Sequence, residues 1–304
     1  MNFEDIRYEV ENGIATVTLI RPAGMNSVTA RMRVELQAAA DMWDADDDVR
    51  VVIVTGEGPA FCAGADLTRT RMTGNERANE THFRPPVVDG VERDGGGQIA
   101  LRFYESRKPM IGAINGVAAG MGATMLLPMD IRLASDTARF GFVFVRRGIV
   151  PESCSSWFLP RIVGISTALE WFCTGRVFGA AEALNRGLVS EVVAPDALLK
   201  RANALAREIA DATAPVSVAL ARHMAWSMLS ADHPMEAHRM ESSILTERRG
   251  CPDTVEGIKA FLEKRSPSFP MRVSTDMPSS FPGMRPREFR ADHAPSDSPD
   301  IGET

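Results

Sequence analysis

Cysteine is scarce and scattered in this chain. Cys62, Cys154, Cys173 and Cys251 offer no close pair at metal-ligand or redox spacing, so no metal site is expected from them. Four thiols are enough for two disulfides, yet reduced thiols in a cytoplasmic protein are the simpler reading. Long hydrophobic runs are also missing. The longest, Val117 to Met129, falls short of a bilayer span and is followed by Asp130. Met1 to Ile6 carries acids where a secretion signal would carry bases and then an apolar run, so the expectation is an unexported protein with no membrane partner. Nor is positive charge in excess. A formal net charge of -6 gives no global attraction for a polyanion and argues against a nucleic-acid partner, so an anionic ligand would have to be held by a local patch. What is present, 304 residues with 44% hydrophobic and 24% charged, suits one large domain with a full core.

Strand and helix periods alternate along the chain. Residues Ile6 to Ile20 alternate around the turn pair Asn12-Gly13, with Ala15, Val17 and Leu19 on one face, which predicts a β-hairpin. From Thr29 to about Ala45, Met32, Leu36, Ala39 and Trp43 fall on one helical stripe. Val51 to Thr55, Met110 to Ile114 and Ile131 to Ala134 read as short buried strands coupled to helical segments, so the fold class is α/β. Between Leu67 and Leu101 the pattern breaks into polar and glycine-rich sequence, read as a long functional or mobile loop in which His82, Arg84 and Asp89 are solvated. Residues 266 to 304 hold seven prolines and few aliphatics, too little to bury a core. That tail is expected to lie along a neighbouring subunit or stay loose.

Two glycine-rich stretches stand out. Phe61-Cys62-Ala63-Gly64-Ala65-Asp66 and Asn115-Gly116-Val117-Ala118-Ala119-Gly120-Met121-Gly122 each end an apolar run and precede helix-forming sequence. A strand that passes through glycine into a helix leaves backbone N–H groups without internal partners, and two such sets converging on one point make an oxyanion hole. Either stretch alone could simply start a helix. Together with Arg21-Pro22, Asn26, Gly58-Pro59-Ala60, Lys108-Pro109-Met110-Ile111-Gly112-Ala113-Ile114, Gly164, Thr174-Gly175-Arg176 and Gly187-Leu188-Val189, they resemble the crotonase superfamily, the enoyl-CoA hydratases and isomerases, from about Tyr8 to about Arg265.

The resemblance implies a spiral of β-β-α repeats over residues 1–200, a helical trimerisation region over 201–265, and an extended Pro/Ser-rich tail over 266–304. It implies an acyl-CoA thioester substrate, with coenzyme A as part of that substrate and no separate cofactor. A homotrimer or a dimer of trimers is the implied assembly. The hole donors would be the N–H groups of Ala65 and Met121. Further substrate or CoA contacts are implied at Met25, Ala63, Gly64, Asp66 and Leu67, then at Gly120, Thr124 and Phe144. From a neighbouring subunit, Phe261 and Lys264 would reach the adenine end, although a plain solvated helix end fits them equally. Asp66 reads better as a cap that orients the following helix than as a base.

A hydratase of this superfamily uses two glutamates to hold one water. The corresponding positions here are Thr124 and Phe144, neither of which is a general base. One carboxylate remains. Glu152, in Pro151-Glu152-Ser153-Cys154-Ser155-Ser156, lies in a segment similar to that of the peroxisomal-type Δ3,Δ2-enoyl-CoA isomerases, whose glutamate shuttles a proton. That role asks for an apolar pocket, for which Phe142, Phe144, Ile149 and Trp157 are the candidate walls. The competing reading makes Glu152 a helix cap after Pro151. Three functions therefore stay open at the level of sequence: an isomerase-type enzyme using Glu152, a hydratase or hydrolase with unusual acid and base groups, and an idle acyl-CoA binder.

Overall fold

The computed structural model describes residues 2–67, 86–281 and 288–289. The chain opens with the hairpin β1 (Ile6–Glu11) and β2 (Ile14–Leu19). Asn12 and Gly13 turn it with φ of 51° and 79°, the paired left-handed geometry that matches the twist of the flanking strands. Helix α1 (Ala30–Ala45) starts where the Thr29 hydroxyl accepts the Met32 N–H at 2.9 Å, and it buries the Met32, Leu36, Ala39 and Trp43 stripe. There follow β3 (Val51–Gly56), β4 (Ala60–Cys62), the two-residue strands β5 (Val87–Val88) and β6 (Val91–Glu92), and α2 (Gly95–Tyr104). Next come β7 (Met110–Ile114), β8 (Val117–Ala119), the single-turn α3 (Met121–Thr124), β9 (Ile131–Ser135) and β10 (Arg139–Gly141). The remaining elements are α4 (Ser155–Val163), α5 (Ile165–Thr174), β11 (Val177–Gly179), α6 (Ala180–Asn185), β12 (Glu191–Val193), α7 (Leu198–Ala212), α8 (Pro215–Met228), α9 (Pro234–Arg248) and α10 (Pro252–Glu263).

Strands are dealt out to two sheets. One holds six strands in the order β1-β2-β3-β7-β9-β12, and the other holds four in the order β11-β10-β8-β4. In each successive repeat the first strand joins the larger sheet and the second joins the smaller, with parallel pairing of β3 to β7, β7 to β9, β4 to β8 and β8 to β10. This is the β-β-α spiral, and it puts the ends of β4 and β8 side by side.

Three expectations change. The stretch from Leu67 to Leu101 is not all loop: Val87 to Glu92 forms a hairpin with Asp89 and Gly90 in left-handed turn positions, and α2 begins at Gly95. Three consecutive glycines, each unfavourable in a helix by about 1 kcal/mol, hid that helix from the periodicity. Tertiary contacts offset the cost. The Trp43 indole packs on Phe103 at 5.8 Å and donates to the Ser106 hydroxyl at 3.0 Å, while Arg102 pairs with Asp41 and Asp44 at 2.8 and 2.7 Å, so α2 is fastened to α1. Second, a boundary at residue 200 cuts a helix that belongs to the core, because α7 lays Leu198, Ala202, Ala206 and Ala210 against Val51, Ile53, Ile111 and Ala113 of the large sheet. The peripheral helical region starts with α8. Third, residues 266–281 fold onto their own chain: Val273 is buried with Val216, Ala219, Leu220 and Ile244, and Ser274 bonds Asp47. His82 and Arg84 lie outside the described residues, as does most of the region beyond Phe281.

Candidate active site

The site is assembled where β4 and β8 end. Val28 lies alongside Ala65 in a parallel bridge, its N–H donating to the Gly64 carbonyl at 2.8 Å and its carbonyl accepting the Asp66 N–H at 3.0 Å. Because alternate residues of an extended chain point opposite ways, those two bonds turn the Ala65 N–H to the other side. In the neighbouring strand, Gly120 takes φ 52° and ψ -125°, a conformation open to glycine, and hands the chain to α3 with Met121 as its first residue. The first helical N–H has no intrahelical acceptor. Among the described residues no acceptor lies on either the Ala65 or the Met121 N–H. The two segments are in close register: a β-carbon built on Gly64 would stand 2.8 Å from the Ala119 carbonyl oxygen and 3.6 Å from the Met121 nitrogen. Glycine is required for that approach. One residue further, a β-carbon on Gly122 would collide with the Cys62 carbonyl.

Glu152 faces the same place from the other side. Ser153 and Cys154 follow it with φ of 57° and 56°, two consecutive non-glycine residues in the left-handed region, each costing on the order of 1–2 kcal/mol. That bend keeps the Glu152 carboxyl off the start of α4, whose N-cap residue is Cys154 with no side-chain cap bond. The capping role is therefore excluded by the geometry. Instead the carboxyl accepts the Thr124 hydroxyl at 2.8 Å on Oε1 and the Ser153 hydroxyl at 2.5 Å on Oε2. Burial pushes its pKa up to about 7, with help from the negative charge of Asp94, and the two hydroxyl bonds only partly oppose this.

Asp94 comes from the start of α2. Its carboxylate accepts Gly96 N–H at 2.9 Å, Gly97 N–H at 2.8 Å and Ser153 N–H at 2.7 Å. Gly96 is where the parts meet: a β-carbon there would overlap Ser153 Oγ and Glu152 Oε2 and lie 3.1 Å from Met121 Cε. The Met121 residue thus offers its N–H to one end of the pocket and its thioether to the other. Cys62, buried behind Gly64, has its thiol pushed up to about 12 by burial and is a neutral wall group. Among the described residues no group of three or more His, Cys, Asp or Glu side chains is arranged to hold a metal ion.

Comparison with known proteins shows the family. Residues 9–272 match the family model described as enoyl-CoA hydratase/isomerase. An enoyl-CoA hydratase of Alternaria alternata is 42% identical over 259 residues, which are 85% of this chain and 83% of that one. A 1,2-epoxyphenylacetyl-CoA isomerase of Escherichia coli K12 is 33% identical, over 88% of this chain and 98% of its own. The solved structure of an enoyl-CoA hydratase from Bacillus anthracis superposes with a TM-score of 0.78 at 30% identity, covering 88% of this chain and 99% of that one. The chain belongs to the enoyl-CoA hydratase/isomerase family.

As a member of that family, with the crotonase fold, the chain brings several of the residues singled out in its sequence close together: Gly64 approaches Ala119 and Met121, Gly120 lies by Gly64 and Phe144, and the Thr124 hydroxyl bonds Glu152. Phe144 is buried beside Gly120, its ring 4.0 Å from where a β-carbon of Gly120 would be. Met25 is exposed, and its carbonyl accepts the Ala63 N–H at 3.0 Å, tying those two segments together. Asp66 pairs with Arg21 at 3.2 Å, and the chain after Leu67 leaves the described residues, so no helix capped by Asp66 is described. The expected walls Phe142, Phe144, Ile149 and Trp157 pack in one core cluster with Met121, and two of them also serve other rings. Phe142 is committed to a stack with Trp171 and Phe178, and Trp157 packs on Tyr104, Phe158 and Trp226. The start of α2 and Met121 crowd Glu152. Phe261 is 81% exposed and Lys264 is the left-handed residue that follows and caps α10, and no hydrogen bond or ion pair among the described residues joins either to Glu152. Asp94 and Ser153 were missed as site residues. The cue for Asp94 was its place before a helix start, which the glycine run obscured.

Proposed function

We propose that the chain is an acyl-CoA enzyme of isomerase type, in which Glu152 carries one proton between two carbons of an enoyl-CoA while the Ala65 and Met121 N–H groups hold the thioester oxygen. The Glu152 carboxylate takes the proton from the carbon next to the thioester, and the electron pair passes to the oxygen as a dienolate. The same side chain then returns the proton two carbons further along, which leaves the double bond conjugated with the carbonyl. Donors fixed before reaction stabilise the charge as it develops, at no cost of reorganisation. The observation that carries this reading is one buried carboxyl near neutrality beside two aimed N–H donors, with Thr124 and Phe144 where a two-glutamate hydratase needs carboxylates. A group of pKa about 7 takes up and gives back a proton with equal ease at neutral pH. The likeness of Pro151 to Ser156 to the peroxisomal-type isomerase segment supports the same choice.

Hydration is the second reading, favoured by the name of the Alternaria relative. There Glu152 activates water and the acid comes from elsewhere. Purified protein and its Glu152→Gln variant, assayed on a 3-enoyl-CoA and a 2-enoyl-CoA, separate the two. Isomerase action gives conjugation from the first substrate that is lost in the variant. Loss of conjugation from the second substrate by the native protein would replace this reading with hydration, and silence on both with retained CoA-ester binding would leave only a binder. For assembly, we infer a closed homo-oligomer of three or six chains through α10, whose Val255, Ile258, Phe261 and Leu262 are more than half exposed on one chain.

A further inference from the structure

We propose that Asp94 is a positioning residue: its carboxylate, pinned by three backbone N–H groups against Glu152, fixes both the orientation and the charge state of that side chain. The inference rests on Glu152 being the proton carrier. It goes further by naming what holds the carrier in a state that can work in both directions.

The geometry rules Asp94 out as a second acid. Oδ1 accepts Gly96 N–H, and Oδ2 accepts both Gly97 N–H and Ser153 N–H, so both oxygens are committed to the main chain. A proton on either would face an N–H donor. The carboxylate nevertheless lies against Glu152 and accepts a hydrogen bond from it when Glu152 is protonated. Its bond to Ser153 N–H holds the left-handed residue that turns Glu152 into the pocket. One side chain thus joins the start of α2 to the catalytic bend. It also places a negative charge where the N-terminal end of α2 would otherwise present positive charge to Glu152.

The other charged and titratable groups around the pair do not substitute for it. Cys62 on β4 and Cys154 after the bend are thiols pushed up by burial and stay neutral. Arg33 of α1 lies against Gly95 under the negative charges of Asp94 and of Glu92 on β6, and Arg93, next to Asp94 in the chain, acts on Cys154. Arg21 acts on Cys62 from the entrance. Without Asp94, Glu152 would lose the negative charge that favours its proton and would face the positive end of α2, both of which favour its ionised form.

The test is a carboxyl titration in substrate-free protein with 13C-labelled glutamate, the Glu152 resonance being the one absent from Glu152→Gln. Wild type should titrate near pH 7. In Asp94→Asn the midpoint should fall by at least one pH unit, and the acid limb of the isomerisation rate should move with it while kcat at pH 8 drops about tenfold. Asp94→Ser, which keeps a capping oxygen without charge, guards against loss of the helix start and should shift in the same direction. A midpoint unchanged in either folded variant overturns the proposal, even if the rate falls, because a merely structural role lowers rate without moving the titration. Activity surviving in Glu152→Gln would sink the isomerase reading alone, since the titration needs no reaction.

Discussion

Glu152 costs the folded chain stability at neutral pH. Its carboxyl is raised from 4.5 to about 7, so below pH 4.5 both folded and unfolded chains carry the proton and no penalty exists. As pH rises through that window the unfolded chain releases the proton first, and the native state loses stability until the penalty is complete above about 7. Glu152→Gln removes it. The variant should be more stable than wild type at pH 8 by up to about 3 kcal/mol, with the gap closing by pH 4.5, as read by urea unfolding at several pH values. A gap that stays constant with pH would mean that the carboxyl is not perturbed. His223 is the opposite case in the same molecule: burial pushes it down to about 4, so stability falls as pH drops from 6.5 toward 4 in both proteins and cancels from the comparison.

At the scale of elements, the site is a meeting of three chain segments that each change direction on a residue with little or no side chain. Gly64 and Gly120 bring β4 and β8 to their donors, and Gly96 brings α2 onto Glu152. Adding one methyl at Gly96 forces Glu152 and Ser153 away from the pocket, because a β-carbon there overlaps both side chains. Gly96→Ala is therefore expected to lose at least tenfold in kcat and about 1–3 kcal/mol of stability, although alanine is the better helix former. Unchanged kcat with higher stability would show that the α2 start does not crowd the site. Much of this was legible beforehand. The two glycine stretches and Glu152 were visible because backbone donors and a lone carboxylate leave short local marks in sequence. Strand placement was visible from runs such as Val51–Thr55 and Met110–Ile114. Asp94 was not, since its partners Ser153 and Glu152 lie 59 and 58 residues away and its own helix opens on three glycines. Of the expected aromatic walls Phe144 lies beside Gly120, while Phe142 and Trp157 also pack on other rings, contacts that sequence proximity to Glu152 does not reveal.

For the whole molecule, the peripheral helices close one side of the core and leave another open. Arg222 of α8 reaches Asp130 at 2.8 Å and the carbonyls of Phe103, Tyr104 and Ser106, so α8 is bolted to the core beside α2. Residues up to Phe281 then wrap back over α8 and α9. Among the described residues an apolar stripe of α10 stays uncovered, with Phe261 at 81% and Leu262 at 73% exposure. Replacing both by serine should convert the assembly to single chains in analytical ultracentrifugation and raise KM for the CoA ester with kcat less affected. A monomeric wild type would overturn the inferred assembly. Exchange of the proton next to the thioester tests the proton-carrying role of Glu152 most directly. Incubated in D2O with a 3-enoyl-CoA and followed by proton NMR, the wild type should wash deuterium into that carbon, and Glu152→Gln should slow the exchange by about 10²–10⁴-fold. Exchange at the wild-type rate in the variant would contradict the account, because the proton would then be moved by some other group.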